Sequence, residues 1–136
     1  MNDIGKRVKG LAARDAFVAY LGAECVDAGP GMAVVRMTVG EQHVNFNGTC
    51  HGGVLFSLAD TAFGLASNSH GRVAAAVGAH IGFTAPVRVG DTLIATATEL
   101  SRSNRIGTYR VDVRTSDDAT VATFTGTVYI AEREHP

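Results

Sequence analysis

The sequence predicts an α+β fold in which one long central helix is wrapped by a curved antiparallel sheet of five to six strands. The helix is indicated by residues 53–69, which contain no proline and carry apolar side chains on every side, as a buried helix does. The strands are indicated by short segments rich in β-forming residues, joined by turns that favour antiparallel pairing. One helix that follows two strands and precedes four is expected to be covered by the sheet.

Composition and length suit one globular domain over residues 1–136. Hydrophobic residues make up 46% and charged residues 18% of the chain, which is ordinary for such a domain. The net charge of −1 gives no electrostatic indication of a nucleic-acid or membrane partner. We expect a cytoplasmic location, because the N-terminus lacks the apolar run of a signal peptide and no segment is suited to span a bilayer.

The first part of the chain predicts a helix followed by a β-hairpin. Residues 1–21 are predicted to contain an N-terminal amphipathic helix because apolar side chains recur at helical spacings, at Ile4, Val8, Leu11, Val18 and Leu21. Residues 23–39 predict two strands on either side of a Gly-Pro-Gly turn at 29–31. A loop over residues 40–50 then leads to the central helix.

The central helix and the strands after it complete the predicted fold. We expect the helix to be capped by Thr49 and to end before Gly71. Four strands are predicted after it, over residues 73–84, 92–100, 107–115 and 119–131. The last residues, 132–136, are polar and are expected to fray.

A single carboxylate, Asp60, lies in the middle of the apolar helix. A buried charge is costly unless it is paired, hydrogen-bonded or used in chemistry, so this position indicates a functional site. Gly52 and Gly53 lie at the start of the same helix, where the N–H groups have no acceptor inside the helix and carry partial positive charge. Such a helix end is able to hold an oxyanion.

The spacing of these groups predicts an oligomer. Gly52 and Asp60 are eight residues apart, which separates them by about 12 Å along a helix. One substrate carbonyl cannot contact both groups within a single chain. If both act on the same carbon, the second group belongs to another copy of the protein, and the active site lies at a dimer interface.

The motif around these residues resembles a known enzyme family. The runs HVN at 43–45, GTCHGG at 48–53 and SLADTAF at 57–63 are similar to those of the hot-dog-fold thioesterases of the phenylacetic acid degradation type. The resemblance implies hydrolysis of acyl-coenzyme A thioesters, often with aryl-acetyl or medium-chain acyl groups. It also implies a hot-dog fold, a homo-oligomer that is either a dimer or a dimer of dimers (a homotetramer), and no need for a metal or cofactor.

The resemblance also implies roles for four residues. Asp60 is the nucleophile or the general base, and the Gly52 backbone N–H polarises the thioester carbonyl. Asn45 and His51 help to position the carbonyl or the attacking water. Structural alternatives stay open: Asp60 bonded to Thr61 or to neighbouring backbone, Gly52 as a tight-turn residue, His51 as a backbone cap, and Asn45 as a residue that holds its own loop.

Coenzyme A carries phosphates, so cationic residues are expected at the entrance to the site. The segment 101–107 offers Arg102, Asn104 and Arg105 as candidate coenzyme A contacts, and an ordinary solvated turn is the alternative. Arg72 and Arg88 are further candidates.

A metal site is not predicted, because no two histidines among His43, His51, His70 and His80 have the helical i, i+4 spacing. The two cysteines, Cys25 and Cys50, form no C-x-x-C pair, so neither a disulfide framework nor a zinc site is expected.

Two competing functions remain at this stage. One is a hot-dog hydratase or dehydratase that pairs His51 with Asp60, and the other is a non-catalytic acyl-CoA-binding protein. Asn45 together with the glycine pair favours the thioesterase over the hydratase. The retained carboxylate favours an enzyme over a binding protein.

Overall fold

The computed structural model describes residues 3–136. In chain order its helices and strands are α1 (Asp3–Ala13), α2 (Ala16–Leu21), β1 (Glu24–Gly29), β2 (Met32–Thr38), α3 (Gly52–Ser67), β3 (Arg72–Phe83), β4 (Thr92–Arg102), β5 (Ile106–Thr115) and β6 (Thr120–Glu134). Within these residues the six strands form one sheet in the order β1-β2-β4-β5-β6-β3, and all neighbouring strands are antiparallel. The predicted α+β fold, with a long helix on an antiparallel sheet, is confirmed.

The predicted hairpin is present, and its geometry explains a glycine. Gly29 of β1 pairs with Met32 of β2, so Pro30 and Gly31 form a two-residue turn. Gly31 has a φ of +67°, a conformation that favours glycine over residues with a Cβ. Its N–H donates to Ser69 Oγ at 2.8 Å, which ties the hairpin to the segment after α3.

The core lies between the sheet and one face of α3. The α3 side chains on this face are buried, namely Leu55, Leu58, Ala59, Ala62, Phe63, Leu65 and Ala66. The Phe63 ring packs against Phe124 and Tyr109, with ring centroids 5.4 Å and 5.8 Å away. A Cβ on Gly126 would lie 2.7 Å from the Phe63 ring, so this strand glycine makes room for the helix. Burying one such phenylalanine contributes roughly 1.5–3 kcal/mol.

The opposite face of α3 is open in the single chain, which corrects the expectation of a helix buried all round. Phe56 and Asp60 are exposed, and Ser57, Thr61 and Gly64 are half-buried. The reason is geometric: the sheet covers one side of the helix, and α1 and α2 contact only part of the other.

The N-terminal helix predicted over residues 1–21 is divided into two, and its first two residues lie outside the described chain. The break falls at Arg14 and Asp15. Asp15 Oδ1 accepts hydrogen bonds from the backbone N–H groups of Phe17 and Val18 at 3.0 Å and 3.2 Å, so it caps the start of α2. The apolar spacing continues across the break, so periodicity alone does not reveal it.

Both ends of α3 differ from the prediction. The helix spans Gly52–Ser67 instead of 53–69, and it is capped by His51 instead of Thr49. Its C-terminal cap is Asn68, so it stops short of Gly71. The tail is also less free than expected, because β6 continues to Glu134 and the His135 N–H donates to Gly71 O at 2.9 Å.

Strand β3 forms one edge of the sheet, where it pairs with β6 only. Its central residues, 75–80, are exposed although most of them are small and apolar, and Val77 is 65% exposed. An edge of this kind presents unpaired backbone groups to another chain. Among residues 3–136 there is no helix with the length and hydropathy needed to cross a membrane.

Candidate active site

Asp60 lies on the open face of α3, in a depression of about 740 Å³. The floor of this depression is formed by α3 residues on one face of the helix, and Leu11, Phe17, Val73 and Ala74 contribute to its walls. Within residues 3–136 the Asp60 carboxylate accepts no hydrogen bond and forms no ion pair. The protein atoms around it remove part of its hydration, and this desolvation raises its pKa.

Thr61 does not bond to the Asp60 carboxylate, which excludes that structural alternative. The Thr61 hydroxyl donates to Ser57 O at 2.7 Å, one turn back along the helix. The Ser57 hydroxyl likewise donates to Gly53 O at 2.7 Å. These hydroxyls therefore satisfy backbone carbonyls of α3 and leave the carboxylate to other partners.

At the start of α3, one backbone N–H is left without an acceptor. His51 Nδ1 accepts the Gly53 N–H at 2.8 Å, and His51 O accepts the Val54 N–H at 2.9 Å. For the Gly52 N–H, the part of the chain from residue 3 to residue 136 provides no acceptor. Unpaired N–H groups at a helix start are suited to bind a developing negative charge.

Gly52 lies in a second depression of about 500 Å³, which is lined by residues of the loop before α3 and of the segment after β3. A Cβ at Gly52 would lie 3.2 Å from the ring of Phe83, which is 54% exposed. The glycine therefore allows the end of β3 to approach the start of α3 closely.

The His51 ring caps α3 in a defined tautomer. Because Nδ1 accepts the Gly53 N–H, the proton of the neutral ring is on Nε2. No other group in residues 3–136 bonds to Nε2, and the side chain is exposed. The capping role that the sequence left open is present, and Nε2 still carries a donor.

Asn45 organises the loop that precedes the helix. Its Oδ1 accepts from the backbone N–H of Asn47 at 2.9 Å and from the Thr49 N–H and hydroxyl at 3.3 Å each. Gly48, with a φ of +77°, completes the turn and donates to Asn45 O at 3.0 Å. The loop-holding role of Asn45 is therefore present, while its side-chain N–H groups have no acceptor in the described residues.

The chain carries two separate half-sites. Asp60 lines the larger depression and Gly52 the smaller one, and the two depressions share no lining residue. This arrangement agrees with the separation expected from their spacing along the helix. It also keeps His51, whose Nδ1 is occupied by Gly53, out of a hydrogen bond with Asp60 in the same chain.

The three residues proposed to contact coenzyme A are engaged within the chain or lie apart from both depressions. Arg105 pairs with Glu132 at 2.6 Å, and Asn104 accepts from the Arg72 guanidinium at 3.2 Å. Arg102 has a buried Nη1 that lacks a partner among the described residues. None of the three lines the depression of Asp60 or that of Gly52, so their coenzyme A role stays a prediction.

The sequence did not reveal that both chain termini contribute to the depression of Asp60. Leu11 reaches it from α1, Phe17 from α2 and Arg14 from the break between these helices, and His135 reaches it from the segment after β6. His135 Nε2 contacts Asn68 Oδ1 at 2.7 Å. No sequence signal marks these residues, because their proximity depends on how the terminal segments pack on α3.

Metal binding has no support in residues 3–136, where no group of three His, Cys, Asp or Glu side chains is placed to hold an ion. His43 Nδ1 accepts the Gly40 N–H at 2.9 Å. His70 instead contacts Glu99 at 2.8 Å. Partial burial disfavours the charged form of Glu99, but hydrogen bonds from Tyr109 and His70 outweigh it and lower the pKa of this carboxyl.

The architecture matches those of solved proteins over most of the chain. The structure of the E. coli PaaI protein from the phenylacetic acid degradation operon superimposes with a TM-score of 0.92 at 38% identity, covering 95% of this chain and 94% of that one. A Streptococcus mutans UA159 protein, whose crystal structure was solved bound to acetyl CoA, superimposes with a TM-score of 0.80 at 26% identity. That match covers 83% of this chain and 91% of that one.

Sequence comparison gives the same family. The model of the thioesterase superfamily matches residues 47–122, a range that includes Gly52 and Asp60. The acyl-coenzyme A thioesterase PaaI of Escherichia coli K12 is 44% identical over 112 residues, which cover 82% of this chain and 80% of that protein. The chain belongs to the thioesterase superfamily and has the hot-dog fold. The predicted family and the predicted enzyme class, a thioester hydrolase, are confirmed.

Proposed function

We propose that residues 1–136 form a single domain that hydrolyses acyl-coenzyme A thioesters to the free acid and coenzyme A. The observation that carries this proposal is the Asp60 carboxylate, which is unpaired within residues 3–136, has a raised pKa and lines a depression of ligand size. The proposal is supported by the similarity to E. coli acyl-coenzyme A thioesterase PaaI and to the protein solved with acetyl CoA.

The complete site is proposed to form between two chains through β3. This strand starts at the depression of Asp60, which Val73 and Ala74 line, and ends at the depression of Gly52, which Phe83 lines. If two β3 edges pair antiparallel about a two-fold axis near Gly78, the start of one strand lies beside the end of the other. The Asp60 depression of one chain then faces the Gly52 depression of its partner.

In the proposed reaction, the Gly52 N–H donates to the thioester carbonyl oxygen as negative charge develops on it. Asp60 of the other chain acts in one of two ways. As a general base it takes a proton from water, whose oxygen adds to the carbonyl carbon before the C–S bond breaks and the thiol leaves. As a nucleophile its oxygen adds to the carbonyl carbon, the C–S bond breaks and coenzyme A leaves as the thiolate, which takes a proton from water. Water then hydrolyses the resulting mixed anhydride to the free acid and the regenerated Asp60 carboxylate. Losing one oxyanion donor typically costs about 2.7–4 kcal/mol of transition-state stabilisation.

Asn45 and His51 are proposed to position the carbonyl or the water. Both carry N–H donors that lack acceptors in residues 3–136, at Asn45 Nδ2 and, in the neutral ring, at His51 Nε2. Both belong to the segment that presents Gly52, so each donor is held close to the oxyanion site. This role is compatible with the loop-holding and capping bonds, which use the opposite atoms of each side chain.

Arg102, Asn104 and Arg105 remain the proposed contacts of the coenzyme A phosphates. If Arg102 binds phosphate, Arg102→Ala should raise the KM for a coenzyme A ester more than the KM for the matching pantetheine thioester, because the truncated substrate lacks the nucleotide phosphates. An equal rise for both substrates would assign the arginine a different role. A homotetramer and a cytoplasmic location complete the proposal.

The function is tested by following thiol release from a panel of acyl-CoA esters. The panel contains phenylacetyl, hydroxyphenylacetyl, benzoyl and straight-chain esters. The hydratase alternative is tested separately by the loss of enoyl absorbance from an enoyl-CoA, because hydration of the double bond releases no thiol. Asp60→Asn should lose on the order of 10²–10⁴ in turnover. Asp118→Asn is the matched control, because Asp118 is exposed with a φ of 70°, a conformation that asparagine also adopts. Near-normal turnover of Asp60→Asn would refute the proposed role of this carboxylate.

A further inference from the structure

Phe46 lies in the loop between β2 and α3, next to Asn45 and six residues before Gly52. At 97% it has the most exposed large apolar side chain among residues 3–136. The ring contributes almost nothing to the core of its own chain, because the hydrophobic effect acts only on surface that is removed from water. A single exposed apolar residue needs no explanation, so the positions of the other phenylalanines decide what this one indicates.

The exposed phenylalanines of the chain are confined to the two half-sites. Two of the six phenylalanines are buried in the core, and the other four are exposed. Phe17 and Phe56 line the depression that contains the carboxylate, and Phe83 lines the depression at the start of α3. With Phe46, all four exposed rings lie at or beside a half-site. Exposed aromatic residues that are grouped in this way are typical of surfaces that become buried on assembly.

The loop that carries Phe46 is firmly joined to the start of α3. The Asn45 N–H donates to Thr49 O at 2.8 Å, and the His51 N–H donates to His43 O at 2.8 Å. Both hydrogen bonds close the segment between the phenyl ring and the first turn of the helix. A contact that fixes the ring therefore also fixes the N–H groups at the start of the helix.

The two half-sites complement each other in charge and in shape. The Gly52 side has an N–H donor without an acceptor, and the Asp60 side has a carboxylate without a partner in residues 3–136. The Asp60 side is a recess with apolar walls, whereas the Phe46 ring projects from the Gly52 side. The proposed two-fold axis brings these sides together twice, once in each direction. The molecule that covers Phe46 is therefore expected to be a second copy of this chain.

We infer that Phe46 of each chain packs against Phe17 and Phe56 of its partner, at the rim of the Asp60 depression, and so holds the Gly52 N–H at a fixed distance from the partner's carboxylate. This inference rests on the proposed function, from which it takes the two-chain site. Phe46 is a positioning residue that takes no part in bond making or breaking. Because a misplacement of about 1 Å can cost roughly 10²-fold in rate, loss of such an anchor is measurable in turnover.

The kinetic test compares Phe46→Ala with Tyr129→Ala. Tyr129 is 47% exposed and lines neither depression, so its truncation controls for the loss of an exposed aromatic ring. At a protein concentration where sedimentation shows assembled chains, Phe46→Ala should lower kcat for an acyl-CoA ester by about 10- to 100-fold, with KM changed by about threefold or less. Phe46→Leu should restore most of the lost kcat, because leucine fills the same apolar recess. Unchanged kcat in Phe46→Ala would overturn the inference.

Chemical cross-linking tests the contact of Phe46 without turnover. Phe46→Cys and Phe56→Cys are placed in separate chains that also carry Cys25→Ser, so that Cys50, which is 6% exposed, is the only other thiol. The two chains are co-expressed with tags of different size and treated with a short bis-maleimide, because side chains in contact need not have disulfide geometry. A covalent heterodimer is expected. The pair Tyr129→Cys and Phe56→Cys should give none.

The two readouts separate the packing of Phe46 from the proposed function. If the wild type hydrolyses no ester, the proposed function fails, and the cross-link alone decides whether Phe46 packs on the partner. If esters are hydrolysed and the chains associate, but no heterodimer forms between positions 46 and 56, the inference is overturned while the proposed function stands. A protein that stays monomeric in sedimentation would overturn both.

Discussion

The side chains on the two faces of α3 differ in burial and in how well packing explains them. On the sheet-facing side, Leu58 and Phe63 are 0% and 1% exposed, and each fills space that the strands leave for it. On the open side, Asp60 has a carboxylate that no group in residues 3–136 pairs with, and Phe56 leaves 36% of its surface exposed. Packing accounts for the first face, and the second departs from what packing would favour. Such departures are expected where function outweighs stability.

The largest effect on stability is expected on the sheet-facing side. Phe63→Ala removes a buried ring that packs against Phe124 and Tyr109, so it should lower the free energy of unfolding by about 3–5 kcal/mol. The measurement is urea unfolding followed by circular dichroism. In the same experiment Asp60→Asn should unfold at a urea concentration no lower than the wild type. Equal losses in both variants would remove the distinction between the two faces.

The next effect concerns assembly at the β3 edge. Val77→Lys places a positive charge in the exposed part of β3 that is proposed to pair with the same strand of a second copy. Because the proposed two-fold axis passes near Gly78, the two lysines would lie close together and repel each other. The variant should dissociate in sedimentation velocity, and turnover should fall roughly tenfold or more because the two half-sites separate. Val26→Lys is the control, since Val26 is a partly exposed residue of the opposite edge strand β1. A dissociated Val77→Lys chain with full turnover would contradict the shared site.

A smaller effect follows from the raised pKa of Asp60. Because desolvation raises the pKa of this carboxyl in the folded chain, the folded state binds its proton more tightly than the unfolded state does. The ionised form therefore costs stability above the ordinary aspartate pKa of about 3.9, and that cost disappears as the pH falls below it. Asp60→Asn should have a higher Tm than the wild type at pH 7, and the two should converge at acidic pH. A Tm difference that does not change with pH would exclude this cause.

The same pKa direction applies to catalysis. Turnover that needs the ionised carboxylate should decline on the acid side at a pH above the ordinary aspartate value of about 3.9. The kcat profile of the wild type shows this limb if Asp60 is the titrating group. The residual turnover of Asp60→Asn should lack it, since asparagine does not titrate. The same acid limb in both proteins would assign the titration to another group.

Sequence reasoning recovered the features that depend on periodicity and failed where tertiary packing decides. Alternating residues, β-forming composition and turn signals together located all six strands, and the proline-free apolar run located α3 to within two residues at each end. Asp15 breaks the N-terminal helix through a local side-chain cap, which apolar spacing does not report. The exposure of Asp60 was not predicted, because apolar residues on every side of a helix indicate burial on every side. The sequence does not reveal that one face of α3 is left uncovered by the rest of the chain.

The candidate site shows the same division. Gly52, His51 and Asn45 are placed together because they are close in sequence, and the separation from Asp60 follows from helix geometry. The proposed coenzyme A contacts were chosen as a charge cluster, yet Arg105 is paired with Glu132 and Asn104 with Arg72. Which charges stay free depends on neighbours from distant strands, and the sequence does not reveal them.

The central claim is that each active site combines Asp60 of one chain with the Gly52 N–H of another, and complementation tests it most directly. Gly52→Pro removes this N–H at the first helical position, where proline is tolerated, and His51 has the φ of −62° and ψ of 136° that suit a residue before proline. Gly52→Ala keeps the N–H and serves as the control for crowding against Phe83.

The measurement is turnover of phenylacetyl-CoA by co-expressed Asp60→Asn and Gly52→Pro chains, each inactive alone. In a mixed dimer one site carries both defects and the other carries neither. Random mixing should therefore restore about one quarter of wild-type turnover per chain, because half of the dimers are mixed and each has one intact site. Turnover that stays at the level of the separate variants, with mixed dimers demonstrated, would mean that the two groups do not act across the interface.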